Sequence, residues 1–121
     1  MGRKVNKRLV GGYFEDMAAR HLEEGGLRIL ERNYRCRMGE IDLVAEDGSY
    51  LVFVEVKYRS TGGSGDPLCA VDRRKQRVIS RVAAHYLLTH GEGTERPCRF
   101  DVVGFEGARP RWIRNAFDYI G

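Results

Sequence analysis

The sequence has no long hydrophobic stretch: its longest apolar run, Leu51 to Val54, is far short of the roughly 18 residues that a membrane span needs. The start, Met-Gly-Arg-Lys-Val-Asn-Lys-Arg, lacks the apolar segment of a secretory signal. Both absences predict a cytoplasmic protein with no membrane partner. Cysteine is sparse as well. Cys36, Cys69 and Cys98 are odd in number and far apart, with no Cys-x-x-Cys pair and no histidine at zinc-ligand spacing, so they read as free thiols. There is no internal repeat, no low-complexity segment and no glycine-rich phosphate loop of the Walker form, which argues against a nucleotide phosphohydrolase of that kind.

What is present suits one ordinary domain spanning 1–121: 121 residues, 42% of them hydrophobic, are enough for a single core. Lys plus Arg exceed Asp plus Glu by 21 to 17. A modest cationic excess is compatible with a phosphate-rich partner without requiring one. Its distribution says more. Basic residues gather in an N-terminal arm over residues 1–10 (Arg3, Lys4, Lys7, Arg8), at Arg32, Arg35 and Arg37, and at Arg73, Arg74, Lys75, Arg77 and Arg81. Each cluster alone reads as a solvated face; together they matter only if they surround a site.

Phe14, Ala18 and Leu22 recur at i, i+4 and i+8 between Gly11-Gly12 and Gly25-Gly26, which predicts a helix over Tyr13–Glu24. Three stretches rich in Ile, Leu, Val, Tyr and Phe follow as strands, Arg28–Tyr34, Glu40–Glu46 and Tyr50–Arg59. Residues 60–67, Ser-Thr-Gly-Gly-Ser-Gly-Asp-Pro, hold too little apolar surface to offset the entropy of ordering and predict a mobile loop. Val71, Val78, Val82 and Tyr86 predict a second helix over Ala70–Leu88, stopped by His90-Gly91. Strand-like pieces at Arg99–Phe105 and Arg111–Ala116 complete an α/β order. A helix between the third and fourth strands makes those two parallel, and the short loops make the earlier pairs antiparallel.

The chemistry lies in residues 39–59. Gly48-Ser49 fits a type II′ hairpin loop and Asp47-Gly48 a type I′ loop, so paired residue numbers sum to 97 or 95. In either register Asp42 and Glu55 share a face, and in the first they stand opposite each other, with Glu40 opposite Lys57. Two opposed carboxylates amid hydrophobic neighbours repel unless positive charge lies between them. Lys57 supplies one charge, and a divalent metal taking hard oxygen ligands would supply the rest. Glu15 borders the apolar stripe of the first helix, and Lys75 sits between Val71 and Val78 on the stripe of the second.

Asp-(x)12-Glu-x-Lys across a hairpin resembles the motif of the PD-(D/E)xK nuclease superfamily. Glu15 before Ala18, Ile29-Leu-Glu-Arg-Asn-Tyr-Arg35, Gly-Glu-Ile-Asp42, Phe-Val-Glu-Val-Lys57, Lys75, Arg-Phe-Asp-Val-Val103 and Asn-Ala-Phe117 together look like the bacterial UPF0102 or YraN family of predicted nucleases, itself similar to archaeal Holliday-junction resolvases. One departure is Phe14, where a small residue is expected before the helix glutamate.

The resemblance implies a restriction-endonuclease-like fold, a central mixed five-stranded sheet flanked by helices. It also implies Mg²⁺- or Mn²⁺-assisted hydrolysis of nucleic-acid phosphodiesters, of branched or recombining DNA in particular. Asp42 and Glu55 would ligate the metal with the carbonyl of Val56 and a water-mediated contact from Glu15, and Lys57 would orient the attacking water. Lys75, Arg74 and Arg59 would hold flanking phosphates. Glu40 is a further candidate, and Asp101 reads as a structural hydrogen-bond acceptor with a lesser claim on the site. Resolvase-like nucleases are often homodimers, since two nicks need two sites. The competing expectation is a nucleic-acid-binding module on the same fold without turnover.

Overall fold

The structure, a computed structural model, describes residues 7–59, 71–91 and 95–121. Residues 1–6 of the arm expected over 1–10, the loop expected over 60–67 and Cys69 lie outside the described residues, as do the side chains of residues 7–11 and of Arg59; residues 7–10 of that arm are helical. The order is α1 (Lys7–Glu24), β1 (Arg28–Cys36), β2 (Gly39–Asp47), β3 (Tyr50–Arg59), α2 (Arg73–Thr89), β4 (Cys98–Glu106) and β5 (Arg109–Phe117). One five-stranded sheet runs β1-β2-β3-β4-β5, with β3 and β4 parallel across α2 and every other pair antiparallel. This is the mixed α/β sheet flanked by helices that the sequence predicts.

The strands extend by one or two residues at their ends, and both helix starts differ. α1 begins at Lys7, not Tyr13, and passes through Gly11-Gly12. Glycine weakens a helix by roughly 1 kcal/mol per residue but, unlike proline, keeps its N–H and so does not interrupt the backbone ladder. Gly26, at φ +98°, does stop the helix: the Leu27 N–H donates to the Leu22 carbonyl and the Gly26 N–H to the Glu23 carbonyl, both at 3.0 Å. α2 begins at Arg73, later than expected, because Asp72 caps it by accepting the Lys75 N–H at 2.8 Å.

The sheet is covered on both faces. Ala18, Ala19 and Leu22 of α1 pack with Leu43, Ala45, Val52, Val54, Val103 and Phe105. Ile79, Val82, Ala83 and Tyr86 of α2 pack with Val44, Leu51, Phe53, Phe100 and Val102 on the other side. The central strand β3 is therefore apolar without alternation, and Leu51 to Val54 are each at most 1% exposed. Among the described residues no helix is long and apolar enough to cross a membrane.

Candidate active site at a fork in the sheet

The β2–β3 hairpin turns at Gly48-Ser49, with Gly48 at φ +60° as the first position of a type II′ loop requires. Its ladder runs from Asp47 opposite Tyr50 to Leu43 opposite Val54, so the register sums to 97, and there it ends. Beyond this point β2 leaves β3 and bends over α2. Gly39 lies so close to the helix that a Cβ there would sit 2.7 Å from Val78 Cγ1. Ile41 belongs to the α2-side core. β1 follows the same twist. Asn33, at φ +52°, separates Arg32, which ion-pairs with Asp16 on α1, from Tyr34, whose hydroxyl is 2.6 Å from His85 Nδ1 on α2. Arg32 pairs with Leu43 and Tyr34 with Ile41, which leaves Asn33 and Asp42 facing each other where the strands change sides.

Asp42 occupies this fork. Its Oδ2 accepts the Val56 N–H at 2.8 Å, in place of the backbone acceptor that β2 withdraws. Its carboxyl lies beside that of Glu55, which is only 5% exposed. Lys57 Nζ lies 3.3 Å and Lys75 Nζ 3.5 Å from the same oxygen of Glu55, Oε2. The Asp42 pKa is pushed up to about 8, foremost by burial and next by the negative charge of Glu55; the Val56 N–H opposes the shift and Glu15 adds to it. Glu15 is itself raised, mainly by burial, against a hydrogen bond with Asn33 that favours its charged form. The helix glutamate is thus near enough for its charge to be felt by Asp42.

Sequence reasoning places Asp42, Glu55 and Lys57 together, and so does the structure. Lys75 joins them at Glu55. Arg74 is exposed on the first turn of α2. Glu40 is a correction: because the β2–β3 ladder ends at Leu43, it does not meet Lys57 but binds Arg35 Nε on β1. Asp101, fully buried, is a structural acceptor. It receives Arg99 Nε, Trp112 Nε1 and the Asn115 N–H, each at 2.9 Å, where the β4–β5 register slips. Asn33 is the site residue that sequence reasoning missed; its signal was an asparagine inside a strand, the residue type that most readily takes positive φ.

The residues of this site fall within one matched stretch. Residues 14–105 match the model of the uncharacterised protein family UPF0102. A UPF0102 protein of Lachnoclostridium phytofermentans is 50% identical over 117 residues, covering 97% of this chain and 99% of that protein. One from Aeromonas hydrophila is 49% identical over 108 residues, 88% of this chain and 83% of its own, and one from Alkalilimnicola ehrlichii is 48% identical over 111 residues, 92% and 88%. The chain belongs to the UPF0102 family.

In this UPF0102 protein the donor set at the fork is small and hard. Among the described residues no group of three or more His, Cys, Asp and Glu side chains is arranged to hold an ion. Two carboxylates are nevertheless in contact, with ionisation of one strongly opposed. Carboxylate oxygens supplemented by water suit Mg²⁺ or Mn²⁺, so the residues fit such an ion. A separate cavity of about 440 Å³, lined by Phe53, Leu87, Leu88, Phe100, Phe117 and Tyr119 among others, contains none of these residues.

Proposed function

We propose that this UPF0102 protein is a metal-dependent endonuclease that hydrolyses phosphodiesters of nucleic acid, DNA in the first instance, at the fork between β2 and β3. The observation carrying this reading is the adjacent pair of carboxyl groups, Asp42 and Glu55, with two lysine ammonium groups within 3.5 Å of Glu55. Asp42 and Glu55 would hold Mg²⁺ or Mn²⁺, with the Val56 carbonyl as a further ligand and Glu15 acting through a water. The ion supplies polarisation of the phosphate and a bound water of lowered pKa.

The chain's own groups do the rest. Burial of Glu55 keeps bulk water from screening the charges around it. Lys57, about one-third exposed, reaches from Glu55 toward solvent, where it would orient the attacking water and offset charge gathering on the phosphate oxygens. Lys75 helps neutralise the same oxygen of Glu55 and, with Arg74 and Arg59, would take the neighbouring phosphates. A homodimer would present two such sites, as paired nicks require. The test is incubation of purified protein with branched, single-stranded and duplex DNA in Mg²⁺, Mn²⁺ or EDTA. Cleavage in either metal and none in EDTA is expected; cleavage that survives EDTA contradicts the reading, and failure to cut in any condition leaves a binding module.

A further inference from the structure

Two sets of side chains flank the fork without taking part in the scheme above. On the α2 side, Arg73, Arg77 and Arg81 are exposed and lie one turn apart, about 6 Å along the axis. On the α1 side lies an aromatic shelf. Tyr58 follows Lys57 on β3 and, by strand alternation, turns to the other face, where its ring stacks on Phe14 at 4.5 Å between centroids and 14° between planes. Phe14 directly precedes Glu15. It is backed by Phe105 at 5.1 Å and meets the edge of Tyr13 at 5.3 Å. Tyr13 and Tyr58 remain 57% and 37% exposed.

A single exposed tyrosine needs no explanation, since much of any surface is apolar. Here two are held against a third ring anchored in the core, and each neighbours a residue of the carboxylate site, Glu15 or Lys57. Rigid, exposed aromatic faces are what the unpaired bases of a single strand stack on. We propose that Tyr13 and Tyr58, backed by Phe14, form a stacking platform for an unpaired base, so that the substrate carries unpaired nucleotides beside the phosphate at the fork. In continuous duplex both faces of each base are covered by neighbours, and the platform has nothing to bind. Phe14, the departure from the expected helix pattern, is the ring that makes the shelf rigid.

This inference rests on the nucleic-acid reading above, and its test is kept separate from cleavage. Full-length protein in EDTA is titrated against a single-stranded oligonucleotide carrying 2-aminopurine and against the same sequence as duplex. Tighter binding of the single strand, with quenching of the probe, is expected. Tyr13→Ala and Tyr58→Leu should weaken single-strand binding by about 5- to 100-fold and leave duplex binding unchanged, while Tyr13→Phe and Tyr58→Phe keep it. Tyr13 lies on an exposed helix surface, so its pair of variants decides the matter even if Tyr58→Leu unfolds. Should Tyr13→Ala lose nothing, or lose single strand and duplex alike, while Arg74→Ala weakens both, the platform is wrong and nucleic-acid binding stands. Absence of binding to either form overturns both.

Discussion

Asp42 is held where its ionisation is opposed by burial, by Glu55 and by Glu15, and this has a consequence for stability that needs no substrate. Its folded pKa of about 8 lies above the ordinary 3.8, so between those values the folded protein keeps a proton that the unfolded chain has released. Stability therefore falls as pH rises through this window, at up to about 1.4 kcal/mol per pH unit. In EDTA, melting of the wild type should drop by several degrees between pH 5 and pH 8. Asp42→Asn should flatten that dependence and melt above the wild type at pH 8, and Mn²⁺ should raise the wild type alone. Equal pH slopes in the two proteins would show that Asp42 is not under this strain. That an acid, a glutamate and a lysine converge was legible in the sequence, because hairpin register and strand alternation fix it. The share taken by Asn33 was signalled only weakly, by an asparagine within a strand, because where in the strand the positive φ falls is set by the twist of its neighbours.

The seven elements were legible to within about three residues, except the start of α1, for β3 is a continuous apolar run and the 3.6-residue apolar period is strong in α2. The fork was not. Alternation assumes a ladder that continues, and it therefore put Glu40 opposite Lys57, whereas β2 leaves β3 after Leu43 and sends Glu40 to Arg35. The close approach of Gly39 to α2 is what permits the bend. Gly39→Ala should destabilise the protein by roughly 1–3 kcal/mol and weaken Mn²⁺ binding, because its methyl would meet Val78 2.7 Å away at φ +152°. Val78→Ala in the same chain should recover part of the loss, so that the two changes are not additive in chemical denaturation. Strict additivity would mean that the fork does not depend on that contact.

At the scale of the whole molecule, both helices bring a charged side chain to the fork in the sheet: Glu15 from α1, whose charge Asp42 feels, and Lys75 from α2, which pairs with Glu55. The carboxylates at the centre repel a phosphate, and the surrounding cations attract it. Removing one carboxylate's charge should therefore separate turnover from affinity. The most direct measurement compares cleavage of a labelled branched DNA in Mn²⁺ with binding of the same DNA in EDTA, for wild type, Asp42→Asn, Glu55→Gln and Lys57→Ala. The first two variants should lose several orders of magnitude in rate and Mn²⁺ affinity while binding DNA as well as or better than the wild type. Lys57→Ala should bind Mn²⁺ nearly normally and slow the chemical step. Equal cleavage by all four proteins would contradict an active site at the fork.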